Sequence, residues 1–300
     1  MRATAAVLGV VASLTQSVWA ADPMSLKVVP LKEAAVVDGD LIEWGKSGWT
    51  KIPIKPAVDA SERKKFGLEG EDRNFTGKIE VQLKAGVAKG RLFIAVRWPD
   101  DAADVEHKGW EWAGSRYAES KRREDMFAIR FHLDGDYDRS MLSAKTYRVD
   151  TWLWSAARTN PAGLAEDQSH AFSLNPIESS AEYAVQGIGT VNIKKIRDSG
   201  SPAYKLVRPP REKTAERLPA VELLSSFSGS VADVSAKGIW KSGYWNVELS
   251  RALNTSHADD VTFKPGDRIL GQIAVFNHSS DEHKSVSEPL LFDFSGITAQ

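Results

Sequence analysis

Met141 and Lys284 are the side chains in this 300-residue sequence whose types could together do redox chemistry. A thioether and an amine can bind a porphyrin iron from its two faces, and neither ligand needs a cysteine. The chain contains no cysteine at all. Met141 sits shortly before the run Asp150-Thr151-Trp152-Leu153-Trp154, and Lys284 falls in a polar loop between two strong strand signals. Neither residue carries the case alone, so the elements that must position them come next.

Alternation of apolar and polar residues, rich in β-branched and aromatic types, predicts strands. They are expected at Lys78–Leu83, Arg91–Trp98, Met126–Leu133, Val149–Ser155, Tyr244–Leu249, Ile269–Asn277 and Pro289–Phe294. The first two flank a Gly-containing link, Ala85 to Gly90, and read as a hairpin. Asp38-Gly39-Asp40 reads as a tight turn. Helical periodicity is scarce, with Ala113 to Arg123 the best short candidate. The stretch from Ala156 to about Ser235 carries Asn160-Pro161, Asn175-Pro176 and Pro209-Pro210 and few clear strands, so it reads as long loop insertions. Many strands with turn punctuation predict an all-β chain: an antiparallel, jelly-roll-like β-sandwich with long loop insertions and short helices.

Bulk properties narrow the class. Arg2 followed by the mostly apolar Ala5 to Trp19 and by Val18-Trp19-Ala20 reads as a secretory signal, with cleavage expected after Ala20. Residues 21–300 then form one domain outside the cytoplasm, periplasmic or secreted. No later segment is apolar over the roughly 20 residues that crossing a bilayer requires. The formal charge of −1 argues against nucleic acid or an anionic membrane as a general partner. Without a Cys-x-x-Cys-His run, any haem must be held non-covalently.

A family resemblance becomes visible in an ordered set of pieces. They are Val37-Asp38-Gly39-Asp40 with Glu43-Trp44, Leu92-Phe93-Ile94-Ala95-Val96-Arg97-Trp98, and Glu124-Asp125-Met126-Phe127-Ala128-Ile129-Arg130-Phe131. The strand through Trp154, Pro161-Ala162-Gly163 with Asp167, Ile273-Ala274-Val275-Phe276 and Lys284-Ser285-Val286-Ser287 complete it. The chain resembles the haem-binding domain of ethylbenzene dehydrogenase γ subunits and of related dimethyl-sulfide dehydrogenase-type enzymes. The resemblance implies a β-sandwich holding one haem b with methionine and lysine as axial ligands. Carried over by position, these are Met141 and Lys284, with Trp152, Trp154 and Arg158 at the cofactor. Met126, His278 and His283 are the fallback ligands. It also implies a non-catalytic electron-transfer subunit or carrier. The implied partners are iron–sulfur and molybdenum subunits, or a cytochrome. The sequence departs from the pattern at Asp134-Gly135-Asp136-Tyr137-Asp138 and where His278 and His283 crowd Lys284.

Each residue has a plainer reading. Met141 can fill a gap in a loop, Met126 alternates with Ala128 and Arg130 as a strand residue, and loop lysines and histidines are ordinarily solvated. His107, His132, His170 and His257 lack a partner at metal-ligand spacing. The eight Lys and Arg between Lys194 and Arg217 read as a solvated loop or a docking face. Asp134, Asp136 and Asp138 start like a calcium loop, but Arg139 and Lys145 stand where glycine and glutamate belong. Asp38 and Asp40 need no metal to form their turn. No nucleophile elbow, His-Glu-x-x-His or phosphate loop is present. Ten tryptophans admit a second function. The same sandwich is similar to family 9 carbohydrate-binding modules, in which Trp110 with Trp112, or Trp240 with Trp245, would stack on a sugar. A haem-free structural or chaperone-like sandwich is the third class.

Overall fold

The computed structural model describes residues 22–58, 60–65, 74–279 and 284–298. The expected leader and His283 lie outside them. Where the sequence alternates with period two, strands form: Ile79–Ala88, Arg91–Pro99, Met126–Gly135, Tyr147–Ser155, Tyr244–Ala252 and Arg268–Phe276. The 79–88 strand runs through most of the expected link, leaving Lys89 and Gly90, both at positive φ, to turn the hairpin.

The strands join into one continuous sheet that folds over on itself. One layer runs Ala181–Val185, Gly189–Arg197, Glu166–Ser173, 147–155, 126–135 and 268–276. The other runs Thr50–Pro56, 79–88, 91–99, 244–252 and Ser235–Lys241. The 268–276 strand bridges them, pairing Ser285–Ser287 at one end and Leu290–Asp293 at the other. Only Met24–Pro30 pairs in parallel, against 290–293 and 79–88, among the described residues. The chain is an all-β, predominantly antiparallel sandwich.

Two expectations fail. Ala113–Arg123 is not helical: Trp110–Trp112 and Tyr117–Glu119 pair as short strands around Gly114, which holds φ +90°. The stretch after Ala156 is not mostly loop. Three of its strands, 166–173, 181–185 and 189–197, extend the first layer.

Between the layers the core is aromatic. Trp98 stacks on Phe127 at 5.7 Å, and Trp154 meets Trp245 at 5.0 Å. Phe131 meets Trp152, Phe263 and Phe292 at 5.0–5.1 Å. Each such pair adds roughly 0.5–1.5 kcal/mol beyond the area it buries. Gly238 is part of this packing, because a Cβ there would lie 2.4 Å from the Trp154 ring. Gly238→Ala should therefore overpack the core, lowering stability by about 1–3 kcal/mol in denaturant unfolding.

The Asp38-Gly39 turn is fastened by a carboxylate. Glu248 accepts from the backbone N–H of Asp38 (3.1 Å) and Gly39 (2.9 Å) and from Trp44 Nε1 (2.7 Å). Burial pushes Glu248 up from 4.5 to about 7, although these donors pull the other way. Since the folded value lies above the unfolded one, its contribution is present below about 4.5 and lost as pH rises through about 7. Melting temperature should fall between pH 5 and pH 8, and Glu248→Gln should shrink that fall while weakening the turn at every pH.

Candidate functional site

The first layer has two faces, and register sorts its residues between them. Phe127, Ile129, Phe131, Trp152, Trp154, Ile273 and Val275 face the core. Residues paired across an antiparallel ladder share a face, so Met126 lies beside Phe276 and Ser155 on the outer one. Ala128 follows with Ala274 and Leu153, then Arg130 with Gln272 and Thr151. Ala274 pairs with Val286, which places Lys284 opposite Phe276. The Lys284 Nζ stands 5.4 Å from the Phe276 ring centre.

Exposure along these rows marks a solvent-reached strip between two buried ones, hereafter the trough. The row of Met126, Phe276 and Lys284 is buried, and so is the row of Arg130, Gln272 and Thr151. Between them Ala128, Leu153 and Ala274 are reached by solvent. The two buried rows stand four residues apart, about 13 Å at strand spacing. Ala274, Ala128 and Leu153 lie side by side along its floor, and larger side chains at the two alanines would fill it.

One rim carries the lysine. The Lys284 side chain is buried, and its backbone carbonyl accepts from Ala57 N (2.9 Å) and Asn74 Nδ2 (3.0 Å). The other rim is roofed by the loop after the 126–135 strand. Arg130 donates to the carbonyls of Asp138 (2.7 Å) and Arg139 (2.9 Å), and Tyr147 donates to that of Ser140 (3.1 Å). Met141 follows at once, half-buried against Tyr147, Val149, Phe172 and their neighbours on the outer face. The guanidinium of Arg130 lies 5.1 Å from the Tyr137 ring and 5.8 Å from that of Tyr147, in a fully buried setting. The structure thus brings the Met141 loop and Lys284 to one face, on opposite sides of one trough.

The other sequence candidates fall elsewhere. Trp152 and Trp154 are fully buried in the core, on the face opposite Lys284, so they support the sheet from behind and do not line the trough. Alternation makes this unavoidable once Thr151 and Leu153 face outward. Arg158 sits at the Met126 end, donating to Met126 Sδ (3.0 Å), Tyr204 Oη (3.3 Å) and Glu124. Burial would raise Glu124, but His107 at 2.7 Å and the charge of Arg158 outweigh it and hold it below its usual value. Met126 lies on the same face as Lys284, with the Phe276 ring between them and its sulfur engaged by Arg158. His278 leaves the site to pair with Asp104 at 3.0 Å. Neither calcium-like motif forms a carboxylate cluster among the described residues. Asp134 pairs with Arg148, and Asp138 pairs with Lys145 at 3.5 Å. Trp245 is a core residue bonded to Asp125, which spoils the Trp240–Trp245 pair as a surface platform, whereas Trp110 and Trp112 are half-buried.

Sequence reading missed one constellation. Arg251, wholly buried, contacts Asp150 (2.7 Å), Asp167 (3.1 Å) and Asp260 (3.3 Å), with its guanidinium 4.9 Å from the Trp152 ring. Burial pushes Asp150 and Asp167 upward. Burial alone would lower Arg251, but the three carboxylates outweigh it and raise it. Polar residues on the core face of the 147–155 and 166–173 strands were the only signal for it.

The family model described as ethylbenzene dehydrogenase matches residues 42–287, from the turn after Asp40 through the Lys284 strand. The chain belongs to the ethylbenzene dehydrogenase family. No curated protein matches it. Among solved structures it is similar to a putative carbohydrate-binding protein from Bacteroides uniformis, at 10% identity, 93% coverage of both chains and TM-score 0.41. It is also similar to a family 9 carbohydrate-binding module from Caldicellulosiruptor kristjanssonii in complex with glucose. There identity is 12%, coverage 91% of this chain and 87% of that one, and TM-score 0.36. In this member of the ethylbenzene dehydrogenase family, no described helix is long and apolar enough to cross a membrane.

Arg130 is what ties the Met141 loop to the trough. Arg130→Leu should lose about 2–4 kcal/mol through the abandoned carbonyls. Hydrogen exchange should show the largest gain in amide lability within residues 137–146.

Proposed function

We propose that this chain is an exported, periplasmic, non-catalytic electron-transfer subunit or carrier of the ethylbenzene dehydrogenase type, holding one non-covalent haem b in the outer-face trough. The observation that supports this reading most is the placement of the Met141 loop and Lys284 on opposite sides of an alanine-floored trough. The donor set fits the group: a soft thioether from one side, an amine from the other, and no thiol that would attach it covalently.

Bound haem would supply a reversible one-electron iron couple. The chain's own residues do the rest. Lys284 would have to present a neutral amine to an iron, and its side chain is buried with Nζ 5.4 Å from the Phe276 ring centre. Met141 would supply a ligand that favours ferrous iron. Arg130 holds the loop that bears it. Ala128 and Ala274 keep the floor low, and Arg158 at the Met126 end offers a cation for a propionate. If Met141 and Lys284 both held the iron, no position on it would remain for a substrate, which favours a relay role over catalysis. The partners proposed are an iron–sulfur subunit beside a molybdenum subunit, or a cytochrome.

The test is the visible spectrum of the full chain purified from haem-replete cells. A reduced haem b spectrum of a low-spin, six-coordinate iron is expected. Met141→Ala and Lys284→Ala should each abolish the six-coordinate signature and move the potential, while Met126→Ala should leave both in place. Colourless protein, or a spectrum and potential indifferent to both Met141→Ala and Lys284→Ala, would reject the proposal. Sugar-dependent tryptophan fluorescence from colourless protein would favour the carbohydrate-binding alternative.

A further inference from the structure

The acidic cluster behind the first layer continues past Arg251 towards solvent. Asp260 belongs to three groups of potential ligands: with Asp150 and Asp167, with Asp233 and His257, and with Asp198 and Asp259. The first group surrounds the Arg251 guanidinium. In the second, His257 Nδ1 meets Asp233 at 3.0 Å and Asp260 at 3.7 Å. In the third, only Asp260 meets a cation, through Arg251 and His257, and neither Asp198 nor Asp259 takes part in an ion pair among the described residues.

The oxygens of Asp198, Asp259 and Asp260 lie within 4.8 Å of one another. A calcium ion holds its oxygens at about 2.4 Å, so ligands on opposite sides of it are separated by about that span. Asp198 is only 5% exposed, both its carboxylate oxygens are buried with no N–H or hydroxyl donor, and burial together with the adjacent Asp259 and Asp260 carboxyls pushes it up to about 7. Oδ1 of Asp150 and Oδ1 of Asp167, further in, are likewise buried and unpartnered. A carboxylate removed from water without donors is strongly disfavoured, and here several meet with one guanidinium between them. Asp259, part-exposed, leaves the group open to solvent on one side.

We propose that Asp198, Asp259 and Asp260 form a binding site for one hard divalent cation of the calcium class. The donors of this triad are all carboxylate oxygens, which suits calcium and magnesium and not a soft metal. Of these two, calcium is the better match, because it accepts irregular shells of several carboxylates where magnesium demands a near-octahedral one. The ion would staple two parts of the chain, one of them already bonded to the first layer. Asp198 ends the 189–197 strand, Asp259 and Asp260 lie in the loop after the 244–252 strand, and Asp198 N reaches Asp167 O at 3.2 Å inside the first layer. The site is separate from the trough, on the other face of the sheet, and does not depend on the haem reading.

The experiment uses the full chain, stripped with chelator and titrated with calcium, magnesium or zinc chloride, read by thermal unfolding and calorimetry. One calcium per chain and a clear rise in melting temperature at millimolar calcium are expected, with a smaller rise for magnesium. Asp198→Asn should weaken calcium binding by about tenfold or more, because ligand charge sets affinity in such sites. The same variant without calcium should melt no lower than the parent, since a repelling buried charge has been removed; this sign separates a ligand from an ordinary structural residue. Asp259→Asn, at the exposed edge, gives the same reading with little risk to folding. Absence of calcium heat and of any melting shift would overturn the proposal. So would a calcium response that survives Asp198→Asn/Asp259→Asn, or a response to zinc alone that His257→Ala removes.

Discussion

Everything in this molecule depends on a first layer that is covered on both faces but by different chemistry. Residues 127, 129 and 131 point into an aromatic core, while Met126, Ala128 and Arg130 point outward. A slip of one residue would exchange these sets. It would turn the Arg130 guanidinium, Gln272 and Thr151 towards Trp98 and Trp245 of the facing layer, at a cost of several kcal/mol for the charge alone. Register is therefore fixed by the penalty for burying the wrong face as well as by the gain from burying the right one. The bulge between His132 and Asp134 falls near the strand's end, just before the loop that returns over Tyr147 and Val149.

Buried charge follows the same division. On the outer face Arg130 spends its donors on loop carbonyls and its flat surfaces on tyrosine rings, so it organises a roof without needing a counter-ion. On the inner face Arg251 does the opposite, gathering carboxylates from two strands and a loop. Val261 N donating to Asp150 at 2.9 Å and Arg251 donating to Val261 O at 2.7 Å close that unit into a network. One cation fastens a loop above the sheet, and the other fastens a loop below it. Both are buried and multiply bonded, which is the condition under which such groups hold geometry more than they add stability.

How far the sequence was legible follows from the same physics. Strands such as 91–99 and 268–276 announce themselves because they carry short apolar runs rich in β-branched and aromatic residues. The strands at 181–185 and 189–197 do not. Ala181 to Ala184 are exposed, as are Lys195 to Arg197, so pairing with a neighbour holds them and alternation is weak. Ala113 to Arg123 mimics a helix only because its two short strands and tight Gly114 turn leave charged residues at misleading intervals. Met141 and Lys284 could be singled out by resemblance, yet nothing in their spacing tells that a roofing loop and a strand end bring them to one face. Trp152 and Trp154 show the limit from the other side. Alternation says they share a face, but not which face is the core. Asp150, Asp167, Asp198, Asp259 and Asp260 come from separate strands and loops, so their meeting exists only after folding.

The filled interior decides where a large ligand can go. Trp98, Phe127, Trp154 and Trp245 occupy the space between the layers with ring centres 5.0–6.4 Å apart. Native cores are packed like crystals, and a flat group the size of a porphyrin could enter only by expelling several of these rings. The sandwich of this family member thus leaves its outer face as the place where such a group can be held. There the floor is made of alanines, and the covering loop is fastened through one arginine instead of through shared packing. Lys284 is fixed on the backbone by Ala57 and Asn74, with its Nζ 5.4 Å from the Phe276 ring centre.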